Sequence, residues 1–319
     1  MRLVLTLVVR DEADIVDAQL AYHLSAGADF VLATDHGSSD GTTEILRSYE
    51  RDGHLRLFHV SGEVRESAWR TRMARLAATE HAADWIVNTD ADEFWLPREG
   101  TLKDALEAVP DAVGVVWALT CHFVPRPDDG TPFSERMTAR FAAEAALNDP
   151  TSPYRPHAKA AHRADPDIVI WFGSHRVSSR LPPLPNWHPA DVFHFPFRSR
   201  EQYERKNVRR ARGDKPLGQY VKGLQAQERG RIEDVYRMLV VDDDRLAAGI
   251  ANGSLVVDTR LRDALRGDEG AAVRATSEPA RFARDEAALR DADVVRVVRR
   301  LDAIDARLAA LQRRRWAQT

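Results

Sequence analysis

The chain has 319 residues and sets 46 Lys+Arg against 49 Asp+Glu, a formal charge of −3. Hydrophobic residues make up 44% and there are seven Trp, enough for a packed core and incompatible with wholesale disorder. The near-balance of charge excludes a protein built to coat nucleic acid, and the single Cys121 excludes an internal disulfide or a cysteine-rich zinc site.

Leu3–Val9 is a continuous run of β-branched residues and leucine, the pattern of a strand buried on both faces. The run resembles a signal peptide, but it breaks at Arg10 with no small-residue cleavage site after it. Asp14–Ser25, apolar at Ile15, Ala18, Leu20, Tyr22 and Leu24, is expected to be a helix ending at Gly27. Phe30–Thr34 is a second strand. Asp35–Gly41, reading DHGSSDG, is a turn-rich loop that opens a helix running to Glu50. Leu55–Val60 follows as a strand, Glu66–His81 as a helix, and Trp85–Thr89 as a strand stopped by the acidic run DADE. Leu102–Ala108 reads as a helix and Val113–Leu119 as a fifth strand. The alternation predicts an α/β fold with a mainly parallel sheet flanked by helices.

After Cys121 the rhythm changes. His157–Arg163, Ile168–Phe172 and Asp191–Phe195 are expected strands, the last preceded by the proline-rich loop LPPLPNWHP. Arg200–Arg212 is a polar, basic helix whose simplest description is a solvated face, and the chain from Arg231 onward is expected to be mostly helical. This divides the molecule into a domain over 1–230, with halves 1–120 and 121–230, and a helical C-terminal region over 231–319. In that region Val294, Leu301 and Leu308 recur by sevens, as do Val297, Ile304 and Leu311. So short a seam fits either a helix packed on its own domain or a helix forming a homodimer. No apolar run approaches the roughly 18 residues of a membrane span, and one cysteine suits a reducing compartment, so a cytoplasmic protein is expected.

The strongest chemical signal is DWIVNTDADEFW. A strand delivers Asp90, Asp92 and Glu93 at its carboxyl end, where open α/β sheets bind ligands. Three carboxylates so close repel one another unless a cation lies among them, and hard divalent ions such as Mn²⁺ or Mg²⁺ share such oxygens with a substrate diphosphate. A solvated acidic turn is the alternative. If crowding dominates, replacing Asp92 should leave folding unharmed. The loop after the second strand begins with Asp35 and carries two glycines and helix-capping residues. It lacks both G-x-G-x-x-G and G-x-x-x-x-G-K-[ST], which counts against dinucleotide-oxidoreductase and P-loop chemistry.

VVRDEADIVDAQLAYHLSAGADFVLATDHGSSDGTTEIL followed by DWIVNTDADEFW resembles the family 2 glycosyltransferases, in the subgroup with a D-x-D-E-F motif. The resemblance implies a GT-A fold and transfer of a sugar from a nucleotide-sugar donor, with a UDP-sugar the expected donor, assisted by Mn²⁺ or Mg²⁺. It implies that Val9, Asp11, Glu12 and Asp35 lie at the nucleotide, that Asp90 faces ribose or metal, and that Asp92 ligates the metal. Asp11 stands where Asn is usual in that subgroup, and His36 where Asp or Asn is usual. The later segments KAAHRADPDIVIWFGSHRV and DVFHFPFRSREQYERKN are similar to the same subgroup. In them His194 is a candidate third metal ligand, and Lys159 or Arg198 a candidate partner of the leaving diphosphate. Arg72 is the candidate basic residue near the phosphates, with Arg70 and Arg75 read as surface charge.

Transfer to a hydroxyl of a small-molecule or glycan acceptor requires a general base, for which Glu93 and Glu135 are candidates. The acceptor loops are expected in the least patterned stretches, Phe123–Pro156 and Arg180–Pro189. Two other classes remain open: a nucleotidyltransferase, which also uses paired carboxylates and metal, and a non-enzymatic nucleotide-sugar-binding or assembly protein.

Overall fold

The computed structural model describes residues 1–142, 157–185, 187–211 and 218–267. Strands β1 (Leu3–Val9), β2 (Phe30–Asp35), β3 (Leu55–His59) and β4 (Trp85–Asp90) alternate with helices α1 (Val16–Ser25), α2 (Thr42–Arg51) and α3 (Glu66–Thr79). All four strands are parallel, in the order β3-β2-β1-β4. Then follow β5 (Glu93–Pro97), α4 (Leu102–Glu107), β6 (Val115–His122), α5 (Phe133–Arg136), β7 (Ala139–Phe141), β8 (Ala158–Arg163), a 3-10 turn at Phe172–Ser174 and β9 (Ala190–His194). The chain closes with α6 (Arg200–Ala211), α7 (Gly218–Glu228), α8 (Ile232–Leu239), α9 (Asp243–Ala251), β10 (Leu255–Val257) and α10 (Arg260–Arg266).

The sheet has eight strands and continues from β4 as β8-β6-β9-β5. Strand β8 is antiparallel to β4 and β6, β9 is parallel to β6, and β5 is antiparallel to β9. The fold is thus α/β with a mostly parallel sheet between helices, as the sequence predicts. Leu3, Leu5, Leu7 and Val9 of β1 pack with Val16, Leu20 and Leu24 of α1, Leu46 of α2 and Leu102 of α4. Val4, on the opposite face, packs with Met73, Ala74 and Ala77 of α3. The alternation of a strand thereby feeds two cores, one on each side of the sheet.

Several expectations fail for identifiable reasons. The stretch 168–172 is not a regular strand: it makes a single antiparallel bridge, Ile170 with Val177, while Ile168 and Ile170 are buried against α3 and bonded to that helix's side chains. The Ile170 N–H donates to Thr71 Oγ1 at 3.0 Å, and Arg75 Nε donates to the Ile168 carbonyl at 2.8 Å. Thr71→Val should strand that buried N–H and cost about 1–3 kcal/mol, seen as a lower denaturation midpoint at unchanged slope. Strand β5 departs from the expectation that DADE ends the segment: the chain turns at Ala91–Asp92 and pairs Glu93 with His194. Helices α5 and α7 and strand β7 are further elements beyond those the sequence pattern predicts.

The boundary expected at 230 is crossed by secondary structure. Strand β10 pairs with β7, and Leu261 of α10 enters the cluster of Ile15, Phe94 and Phe195. The heptad seam at 294–311 lies outside the described residues. The loop 180–189 leads into the amino end of β9, and Gly114, just before β6, donates its N–H to the Pro182 carbonyl. That places it at the edge of the sheet opposite the carboxyl ends of β1 and β4, so it is not an acceptor loop beside the acidic motif. Among the described residues no helix is long and apolar enough to cross a membrane.

Candidate active site

The register aligns Val9 with Asp35 and Val8 with Asp90, so the ends of β2, β1 and β4 stand side by side. In open sheets the ligand crevice opens at this edge, where successive strands begin to be added in the other direction. The two loops flanking it are laced together. Asp11 Oδ1 accepts from the Ser39 N–H at 2.8 Å, while the Asp11 N–H donates to Ser38 Oγ at 3.0 Å. The Glu12 N–H donates to Thr42 Oγ1, and the Ala13 N–H to Asp40 Oδ2. Asp11 has φ +53°, a left-handed conformation that Asn and Asp tolerate better than most residues because their short side chains bond locally. The acidic substitution for Asn at this position therefore keeps the turn. Asp35, 1% exposed, accepts from Ser38 through Oδ1 and from Thr43 Oγ1 through Oδ2 at 2.6 Å. Its direct role is to organise the DHGSSDG loop.

The acidic motif is wrapped in cations. Asp90 is bonded to Arg70 through Oδ1 and to Lys159 Nζ through Oδ2 at 2.9 Å. Burial works to raise its pKa, but Lys159 and Arg70 overcome this and hold the carboxyl well below the usual range. Asp92 Oδ2 accepts from Lys206 Nζ at 2.7 Å and lies 3.4 Å from His194 Nε2. Against the opposing effect of burial, Lys206 and His194 likewise keep Asp92 ionised. Glu93 faces Lys159 Nζ at 2.8 Å through Oε1 and accepts the Asp90 N–H through Oε2; burial pushes its pKa up. His194 Nδ1 lies 2.9 Å from His122 Nδ1, a second-layer bond of the kind that fixes the orientation of a ligating imidazole.

A second cationic group joins the two halves of the sheet. Arg198, 1% exposed, donates to Glu12, to both oxygens of Asp14 and to the Phe195 carbonyl. One helical turn further, α6 turns Gln202, Tyr203, Lys206 and Asn207 inward, all buried. Arg209 Nη1 donates to the Arg10 carbonyl at 2.8 Å, so α6 lies against the end of β1 as well.

Residues 8–114 match the model of glycosyltransferase family 92.

That stretch runs from the end of β1 to the residue before β6 and contains both laced loops and the acidic motif. No curated protein matches the sequence. Similar solved structures include S. aureus TarS 1-349 in complex with UDP-GlcNAc, at 15% identity over 69% of each chain and a TM-score of 0.38. Glucosyl-3-phosphoglycerate synthase from Mycobacterium tuberculosis, in complex with phosphoglyceric acid, is 16% identical over 42% of this chain and 46% of its own, with a TM-score of 0.28. A 4-diphosphocytidyl-2C-methyl-D-erythritol synthase is 15% identical over 51% of this chain and 75% of its own, at 0.30.

The segment that matches the family 92 model, with β8, β9 and α6, brings Asp90, Asp92, Glu93, Lys159 and His194 into one cluster, with Val9, Asp11, Glu12 and Asp35 along its rim. Other candidates fall elsewhere. Arg72 lies over the Phe58 ring at 5.2 Å on the β3 side, whereas Arg70, read from sequence as surface charge, is the buried arginine at Asp90. Two residues along a helix are about 200° apart, so only one of the pair can face the site. Arg72→Ala should leave UDP affinity unchanged, because its side chain lies over Phe58 and away from Asp90. Arg70→Ala should weaken binding and stability together, as calorimetry on the pair would show. Glu135 is held by Arg266 through both oxygens, which lowers its pKa, and is a poor base. Glu93 is walled in by Lys159 and the Asp90 N–H. His36 is a structural histidine, its Nε2 on the Gly62 carbonyl and its ring against Trp69. Lys206 was not foreseen. Its signal was the spacing of Gln202, Tyr203, Lys206 and Asn207 on one helix face, which lacks the apolar residues that normally mark burial.

Proposed function

We propose that this chain is a nucleotide-sugar-dependent glycosyltransferase with a GT-A architecture, of the D-x-D-E-F subgroup, that transfers a sugar from a UDP-sugar to an acceptor hydroxyl with inversion. The observation carrying this reading is the position of Asp90 and Asp92 at the carboxyl edge between β1 and β4, inside the segment that matches family 92.

Among the described residues no group of three His, Cys, Asp or Glu side chains is arranged to hold a metal ion. Mg²⁺ and Mn²⁺ seldom require one: they are commonly bound by one or two carboxylates, waters and substrate phosphates. Asp92 Oδ2 and His194 Nε2, 3.4 Å apart, fit that arrangement once Lys206, 2.7 Å from the same oxygen, yields its place to the ion. Asp90 does not, since both its oxygens are taken by Arg70 and Lys159. Bound between Asp92 and His194, Mn²⁺ or Mg²⁺ would supply positive charge for the departing diphosphate. The chain's own residues do the rest. The laced loops at Asp11 and Asp35 cradle the nucleoside. Lys159 and Arg70 keep Asp90 ionised and fixed as a hydrogen-bond acceptor at the ribose. Lys206, beside Asp92, lies where charge accumulates on the leaving group.

The direct test is thermal stabilisation by UDP with and without Mn²⁺, followed by a panel of UDP-sugars assayed for hydrolysis and transfer. At about 100 times its Kd, a ligand should add about 2.7 kcal/mol to the folded state. UDP should stabilise the protein, and more so with Mn²⁺. If neither UDP nor any UDP-sugar stabilises it or is turned over, the reading is wrong. Release of inorganic diphosphate rather than UDP would instead indicate a nucleotidyltransferase.

A further inference from the structure

Both carboxylates considered from sequence as general base are disqualified by their partners, which leaves the acceptor's proton without a destination. The structure supplies another at the turn Gly173–Ser174–His175. This turn is built under constraint. Gly173 (φ 66°) and Ser174 (φ 57°) are both left-handed, a conformation that is unfavourable for serine and is retained mainly where the surroundings enforce it. The Ser174 N–H donates to the Trp171 carbonyl at 3.0 Å, and its side chain is fully buried with no partner for its hydroxyl. The effect is to turn the next side chain, His175, outward: it is exposed. Its ring crosses Gly173, where an added Cβ would meet Nε2 and Cδ2 at 2.7 Å and push the ring aside.

The ring is also fixed in chemistry. His175 Nδ1 lies 2.9 Å from the Ala158 carbonyl, and a carbonyl only accepts, so Nδ1 carries the proton and Nε2 of the neutral ring keeps its lone pair. Ala158 precedes Lys159, whose ammonium is on Asp90 and Glu93. Partial burial of the ring, followed by the Lys159 ammonium, pushes its pKa down to about 4, while Asp90 and Glu66, both bonded to Arg70, act the other way; the ring also packs against that of His157 at 5.3 Å. A neutral imidazole with its lone pair on Nε2 thus stands beside the acidic centre, its other nitrogen anchored to the strand that carries Lys159.

We propose that His175 is the general base of the transfer, an inference that rests on the glycosyltransferase reading above. The acceptor oxygen forms its bond to the anomeric carbon as the bond from that carbon to the diphosphate oxygen breaks. The bonding pair leaves with the nucleoside diphosphate, and the acceptor's proton passes to His175 Nε2. The resulting imidazolium keeps Nδ1–H on the Ala158 carbonyl and later releases the proton to water.

The test uses the full chain and the UDP-sugar that the wild type hydrolyses fastest, with water as acceptor. His175→Ala should slow hydrolysis by about 10²-fold or more while UDP binds as tightly as to wild type, since a positioned base contributes about 10²–10⁴. Added imidazole should restore a substantial part of the lost rate. His175→Gln, which can still donate to the Ala158 carbonyl, should be as slow as His175→Ala and bind UDP normally. Hydrolysis by His175→Ala within tenfold of wild type overturns the proposal, as does a failure of imidazole to restore any rate. Loss of UDP binding in both variants also overturns it, because His175 would then only hold the turn. A wild type that hydrolyses no UDP-sugar defeats the glycosyltransferase reading itself, and the proposal falls with it.

Discussion

Arg198→Met should lower stability by about 3–5 kcal/mol, the loss typical when one partner of a buried ion pair is removed and the other is left charged. Glu12 is the group left behind. It is 6% exposed, and burial already raises its pKa above the ordinary 4.5 although Arg198 opposes the shift. Without Arg198 the rise grows. A carboxyl whose folded pKa is raised contributes stability that is present below its ordinary value and lost as pH climbs through the folded one. The penalty of Arg198→Met should therefore be smaller near pH 5 and larger near pH 8, as urea unfolding at both would show. Asp14, 43% exposed on its side chain, is rehydrated and adds little. A penalty under about 1 kcal/mol and flat with pH would mean that Glu12 finds another cation, and Arg209, which also acts on it, would be the one to test next.

That network shows where sequence is legible and where it is not. Leu3–Val9 could be read as a strand because a segment buried on both faces is apolar at every position but Thr6, whose hydroxyl is satisfied by Asn88. The acidic motif could be read because its three carboxylates are adjacent in the chain. Arg198 pairs with residues 184 and 186 positions away, and no local pattern encodes that meeting. Lys206 was hidden for a related reason. A basic helix normally signals solvent, and only the tertiary fold shows that its inward face meets Asp92. Strand β5 depends on pairing with β9, about a hundred residues later, so its five residues carried too little pattern to be recognised alone. Arg70 and Arg72 differ in role only through helical phase, and choosing Arg72 as the phosphate candidate misses Arg70 because the phase of α3 against β4 is set by tertiary packing.

The same hidden lysine reverses the outcome expected for Asp92. Crowded carboxylates alone would let Asp92 be replaced without harm to folding. With Lys206 2.7 Å away and 6% exposed, Asp92→Asn instead leaves a buried ammonium facing a neutral amide, and a loss of roughly 3 kcal/mol is expected. Because its folded pKa is depressed, the Asp92 contribution is present above the ordinary value of 3.8 and disappears as pH falls through the folded one; at neutral pH the loss is seen in full. Stability alone thus cannot separate a metal ligand from a structural acid, but a double-mutant cycle can. Lys206→Met in the Asp92→Asn background removes the stranded charge and should recover most of the lost stability. Enhancement of UDP binding by Mn²⁺ should stay absent in that double variant, since the carboxylate charge that would hold the ion is gone. In Lys206→Met alone the enhancement should persist or increase, because nothing then competes with the ion for Asp92 Oδ2. Enhancement by Mn²⁺ equal to wild type in the double variant would make Asp92 a partner for Lys206 and nothing more.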